Sequence, residues 1–181
     1  MEIRLLTKDE IECRIAQINE NGCSLLLYKD ARCDMKILDE RFGIFGWQRK
    51  HEFINGKEYC TVSVRSENGE WVSKQDCGTE SNAEREKGQS SDAFKRACFN
   101  WGIGRELYTA PFIWIKKDKV SLSEKNGKIM TYDKFSVEKI QYENRKITAI
   151  AIWNDTQGRR AFVWQDPSYK TEKNATLPNG Q

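Results

Sequence analysis

The chain has 181 residues, 38% of them hydrophobic and 31% charged, and its 30 Lys plus Arg against 27 Asp plus Glu leave a net charge of +3. That length suits one domain with a sizeable core, and no apolar run approaches the ~20 residues of a membrane span. So small a net charge does not argue for a nucleic-acid partner by itself; any basic surface must come from segregation of charge in the fold.

The N-terminal stretch MEIRLLTKDE lacks a signal-peptide core, which makes a cytoplasmic location the expectation. The six cysteines have no metal-knuckle spacing and His51 is the single histidine, so neither a metal site nor a cofactor is expected. The cysteines read as small buried apolar groups in a reducing compartment. With one histidine, Ser–His–Asp or His-cluster catalysis has little to work with, and no catalytic residue is assigned.

Taken in order, the chain opens with a predicted helix from Thr7, where Thr7 and Glu10 form a capping-box pair. Ile11, Ile15 and Ile18 would share its face and Gly22 would end it. SLLLY, residues 24–28, is a short apolar run consistent with a buried strand or a helix entry. A second helix is predicted after Asp30, with Met35, Leu38 and Phe42 on one side, Lys29, Arg32, Lys36 and Arg41 on the polar side, and Gly43 at its end.

From Trp47 to Cys77 the pattern is that of strands. Asn55-Gly56 and Asn68-Gly69 are hairpin signals that divide the region into WQRKHEFI, KEYCTVSVRS and EWVSKQDC. Such a meander is too small to stand alone and needs a helix across its apolar face. The stretch Asp76–Tyr108 supplies one. Ala93, Phe94, Ala97, Cys98 and Trp101 recur at helical spacing, and Gly102 and Gly104 follow as a stop. The fold class is therefore α+β: a β-β-β-α core with an N-terminal helical segment and a C-terminal β-meander.

That second meander is predicted from KFSVEKIQY, KITAIAIWN and RRAFVWQ, with Val137, Ile147, Ala149, Ala151 and Trp153 alternating. It either extends the first sheet or forms its own. Before it come the short strand in TAPFIWIKKDKV and a turn at Asn126-Gly127. Residues 1–165 form the expected domain, and the polar segment 166–181 a flexible tail.

The chemistry lies in the cations around the long helix. Lys87, Lys95, Arg96 and Arg105 are spaced along and just beyond it, as a phosphate backbone requires, although cations in a last helical turn also complement the helix dipole with no ligand present. Lys57, Arg65 and Lys74 offer a second basic surface on the sheet. Tyr28, beside Lys29 and Arg32, is open to a stacking role, whereas Trp47, Trp101 and Trp114 sit in apolar patterns and read as core. Glu70 and Lys74, with Glu58 or Glu84, form a loose cluster of the kind a metal-dependent nuclease uses; alternating charge on an exposed strand explains them equally well.

The ordered segments LYKDARCDMKILDE, LDERFGIFGW, NGKEYCTVSV, DCGTES and EKGQSSDAFKRACFNWGIGRELY resemble the Rad-fifty-two superfamily of single-strand annealing proteins, most closely its phage-type, Sak-like members, over residues 25–115. The resemblance implies homo-oligomeric rings or helical filaments that bind single-stranded DNA without nucleotide hydrolysis and anneal complementary strands in recombination and double-strand break repair. For a phage protein the location would be the bacterial host cytoplasm, and a single-strand-binding protein would be a further partner. By position, Lys95 and Arg96 match the helix pair that grips phosphates in the inner groove, Tyr28 a groove-lining tyrosine, and Lys57 a lysine of an outer DNA site. Phe99 stands where the eukaryotic pattern has another groove arginine; the resemblance leaves Arg105 or Arg32 to compensate. A DNA-end-protecting protein without annealing activity is the alternative.

Overall fold

The computed structural model describes residues 2–79 and 85–169, with the side chains of 85–88 outside the description. The elements run β1 (Glu12–Asn19), β2 (Gly22–Tyr28), α1 (Ala31–Phe42), β3 (Trp47–Ile54), β4 (Lys57–Arg65), β5 (Trp71–Cys77), α2 (Arg85–Asn100), β6 (Ile113–Lys116), β7 (Ser123–Lys125), β8 (Lys128–Met130), β9 (Phe135–Glu143), β10 (Lys146–Asn154) and β11 (Arg159–Gln165). The class is α+β with antiparallel sheets and two α-helices.

The expected N-terminal helix is a strand. Thr7 N–H does donate to the Glu10 carboxylate (2.9 Å), but this cap serves a single 3-10 turn, Lys8–Glu10. The chain then extends into β1, paired with β2 on one side and β9 on the other. A bulge between Ile15 and Gln17 changes the register, so that Ile15 and Ile18, three apart, both turn inward. One extra residue in a strand thus reproduced the spacing of a helix. Gly22 is not a helix stop either. A Cβ there would lie 2.0 Å from the Ile115 carbonyl oxygen, so glycine lets β2 and β6 approach.

The meander β3-β4-β5 matches the expected strand limits to within one residue and forms its own three-stranded sheet. Its first turn places Asn55 and Gly56 at positive φ (51° and 77°), the primed turn that suits a two-residue hairpin. The second is longer: Gly69 N–H bonds Ser66 O, and Ser66 N–H bonds Glu70 O. Cys60, Val62 and Val64 point from β4 into the core, where Trp47 stacks on Phe94 of α2 at 6.1 Å and Trp101 Nε1 donates to Val62 O.

The C-terminal meander joins the N-terminal strands in a six-stranded sheet of order β11-β10-β9-β1-β2-β6, whose edge strands approach one another. Within β10 the expected inward set is only partly right. Ile147, Ile150 and Ile152 are its most deeply buried hydrophobic residues, with Ala151 also buried and Ala149 and Trp153 only partly so, because bulges between Ile147 and Ala149 and between Ala151 and Ile152 break the simple alternation. One continuous core unites the six-stranded and three-stranded sheets and the two α-helices. All six cysteines are free; burial pushes the Cys13 and Cys33 thiols up to about 12, as befits inert packing groups. Within the expected tail, residues 166–169 form a turn on Asp166, and the remainder lies outside the described residues.

The inward face of β10 is testable. Ile150→Ala, at a site 2% exposed, should cost about 2–5 kcal/mol in urea denaturation. Val163→Ala on β11, 63% exposed, should stay within about 0.5 kcal/mol.

Candidate functional site

α2 lies across the helix-facing side of the meander and its exit turns back toward β2. Gly102 and Gly104, both at positive φ, make that exit, and a 3-10 turn, Arg105–Thr109, follows. Between α2, this turn and the C-terminal half of β2 runs a cleft of about 710 Å³. Tyr28, Lys95 and Arg96, three of the expected inner-groove residues, line it together. Arg14, Lys29, Phe99 and Tyr108 line it as well. Arg14 was hidden from sequence reading because β1 was taken for a helix. As a strand residue opposite Leu26 it is exposed beside Tyr28.

The cations differ in how they are engaged. Lys95 is half-buried and has no ion-pair partner among the described residues. Arg96 is exposed and gives Nε to Asp76 at 3.3 Å. Asp92, the other carboxylate of the lining, accepts from Thr79 N–H and Oγ1 at 2.9 Å each. Tyr28 donates its hydroxyl to Glu12, a bond that raises its pKa and leaves the ring 37% exposed.

Beneath the cleft lies a buried ion pair. Lys29, expected on an exposed polar face, is 7% exposed and donates to Asp34, itself fully buried on α1. To reach it, the Lys29 stem lies against Gly104, where a Cβ would stand 2.4 Å from Lys29 Cε. Burial pushes the Asp34 carboxyl up to about 6 against the pull of Lys29 and the field of Lys95.

Other expected site residues fall elsewhere. Arg105 is a helix cap, with Nε donating to Phe99 O (2.8 Å) and Nη2 to Asn100 O (2.7 Å). Lys74 serves the same end, donating to Asn100 O and lying over the Trp101 ring at 4.5 Å. For these two the dipole reading describes the geometry. Arg32 is exposed at the first turn of α1, outside the cleft lining. The Lys87 side chain lies outside the described residues. The expected outer set divides: Lys57 and Arg65, at the two ends of β4, share the face away from α2, whereas Lys74 pairs with inward Val62 on the helix side. Glu70 and Glu58 sit at opposite ends of the β4-β5 ladder, and Glu58 is bound to Ser90; Glu84 lies outside the described residues. No group of three or more His, Cys, Asp or Glu able to hold a metal gathers among the described residues, and no helix there is long and apolar enough to cross a membrane.

The family model for the Rad52/22 family double-strand break repair protein matches residues 4–127, more than half of the chain, and the chain belongs to that family. Membership assigns it to DNA repair and recombination, with single-strand annealing as the activity at the level of the family. The match takes in β1 and its Arg14 and ends at the β7-β8 turn. No curated protein matches the chain.

Asp34 sets a pH dependence. Its folded pKa exceeds the ordinary carboxylate value, so the folded state binds the proton more readily and stability grows as pH falls from about 7 toward 4. Glu10, held down at about 2 chiefly by its hydrogen bond from Arg4, acts oppositely and loses its contribution below about pH 4.5. Urea titrations at pH 7, 6 and 5 should therefore show rising stability, and Asp34→Asn should abolish that rise.

Proposed function

We propose that this chain is a phage-type recombination protein that binds single-stranded DNA in the cleft beside α2 and anneals complementary strands, as a homo-oligomer and with no covalent step or cofactor. The observation that carries this reading is Lys95, without an ion-pair partner among the described residues, beside Arg96 and Arg14 in one cleft. Each phosphate held there displaces counterions, and neutralising two strands lowers the repulsion between them. Backbone contacts carry no sequence information, so complementarity is left to base pairing. Lys57 and Arg65 on the far face of the meander are the candidates for a second strand.

Self-association has support of its own. Phe45 is 87% and Ile44 68% exposed in the turn before β3, and Trp71 and Val72 are exposed at the start of β5, where Arg65 N–H bonds Gly46 O. Phe53 and Ile54 are exposed at the opposite end of the same sheet. Two different apolar ends on one sheet suit a head-to-tail contact, which closes into rings or extends into filaments.

Lys95→Ala/Arg96→Ala should weaken single-strand binding and lower the slope of log Kobs against log salt by about 1.4; unchanged binding by the folded protein would refute the assignment. A labelled-oligonucleotide annealing assay separates annealing from end protection. Phe45→Glu should shift light scattering from oligomer toward monomer, and a wild-type chain that is monomeric with and without DNA would refute self-association.

A further inference from the structure

The wall of the cleft opposite β2 is aromatic. Phe99 and Tyr108 both line it, with ring centroids 4.9 Å apart at 60°. Phe99 is buried enough to be held, while Tyr108 is 81% exposed and its hydroxyl has no partner among the described residues. So open a tyrosine would ordinarily be an idle surface ring. Here its backbone is anchored on both sides. Glu106, 1% exposed, accepts Leu6 N–H at 2.7 Å, and Thr109 Oγ1 bonds Glu106 O at 2.7 Å and Ile147 N–H at 2.9 Å. Behind the pair, the Arg105 guanidinium lies 5.5 Å from the Phe99 centroid and is fixed by its bonds to the end of α2.

Lys95 and Phe99 are one helical turn apart, so ammonium and ring project from the same face of α2 with Cβ atoms about 6 Å apart. That places the aromatic pair within one nucleotide of a phosphate on Lys95. We propose that Phe99 and Tyr108 form a base-stacking platform, which takes one unpaired nucleobase of the bound strand on the open face of Tyr108 and so favours single strands over duplex. The proposal rests on the reading of the cleft as the DNA site. Stacking covers a face of the base and leaves its pairing edge free, which is compatible with annealing. In a duplex both faces of each base are already stacked on neighbours, and the platform has nothing to take.

Fluorescence anisotropy on the full chain tests this with two labelled probes, a deoxythymidine oligonucleotide and an abasic deoxyribose-phosphate oligomer of equal length. Tyr108→Ala should weaken binding of the thymidine probe about tenfold with an unchanged salt slope, and leave binding of the abasic probe at the wild-type level. Tyr108→Phe, which keeps the ring, should restore the thymidine affinity. Equal losses on both probes, or none on the thymidine probe, would overturn the platform. Lys95→Ala/Arg96→Ala reads the cleft separately: loss of both probes there with no effect of Tyr108→Ala leaves the cleft standing without the platform. Retention of both probes refutes the cleft itself, and with it the basis of the proposal. Thermal unfolding of Tyr108→Ala at the wild-type midpoint excludes a folding defect as the cause.

Discussion

The Asp34 carboxylate is fully buried and one of its oxygens has no hydrogen-bond partner, and much of the molecule is arranged to tolerate it. Its counter-ion comes from Lys29 at the end of β2, which must cross the α2 exit to arrive. That crossing is open only because residue 104 is glycine in a left-handed conformation. Lys95 faces the same charge from α2. One ionised group therefore ties together the end of β2, the first turn of α1, the later turns of α2 and the turn beyond it. Removing either member of such a pair leaves a bare charge in low dielectric, so the four segments hold one arrangement.

The cleft is a consequence of that arrangement. With β2 and α2 held at a fixed separation, Tyr28 and Arg14 on one wall face Lys95 and Arg96 on the other. The floor carries a buried positive and a buried negative charge that nearly cancel, so the field at the mouth belongs to the exposed cations. Asp76 and Asp92 moderate it, but both accept hydrogen bonds from neighbouring groups. The basic character that a net charge of +3 did not announce is local, produced by the fold placing like charges along one helix edge.

Cations with similar sequence positions have come to different ends. Lys95, Arg96 and Arg105 all lie in or just after the last turns of α2, yet Arg105 folds back onto the carbonyls of Phe99 and Asn100. Lys74, from the neighbouring strand, joins it. Helix-dipole complementation and ligand binding were competing descriptions of one cluster; the capping geometry belongs to Arg105, whereas Lys95 and Arg96 line the cleft. Phe99, where the resemblance led to expectation of a cation, instead carries an aromatic pair braced by Arg105.

Strand limits in both meanders, the two α-helices, the polar turns and the Lys95–Arg96 pair were legible in the sequence, because each depends on neighbours a few residues away: period-two burial, an Asp30 cap, Asn-Gly turns. The N-terminal strand was not legible, since its bulge imitates helical spacing and only pairing with β2 and β9 distinguishes the two. Arg14 was lost with it. Nor did the sequence distinguish Lys29, buried against Asp34, from its exposed neighbour Arg32, or a capping Arg105 from a cleft-lining Arg96. By itself the sequence determined the local elements other than the N-terminal strand, and the inventory of cations and rings. Tertiary structure alone decided which of them meet, because burial, ion pairing and the walls of a cleft are made between segments that the chain keeps far apart.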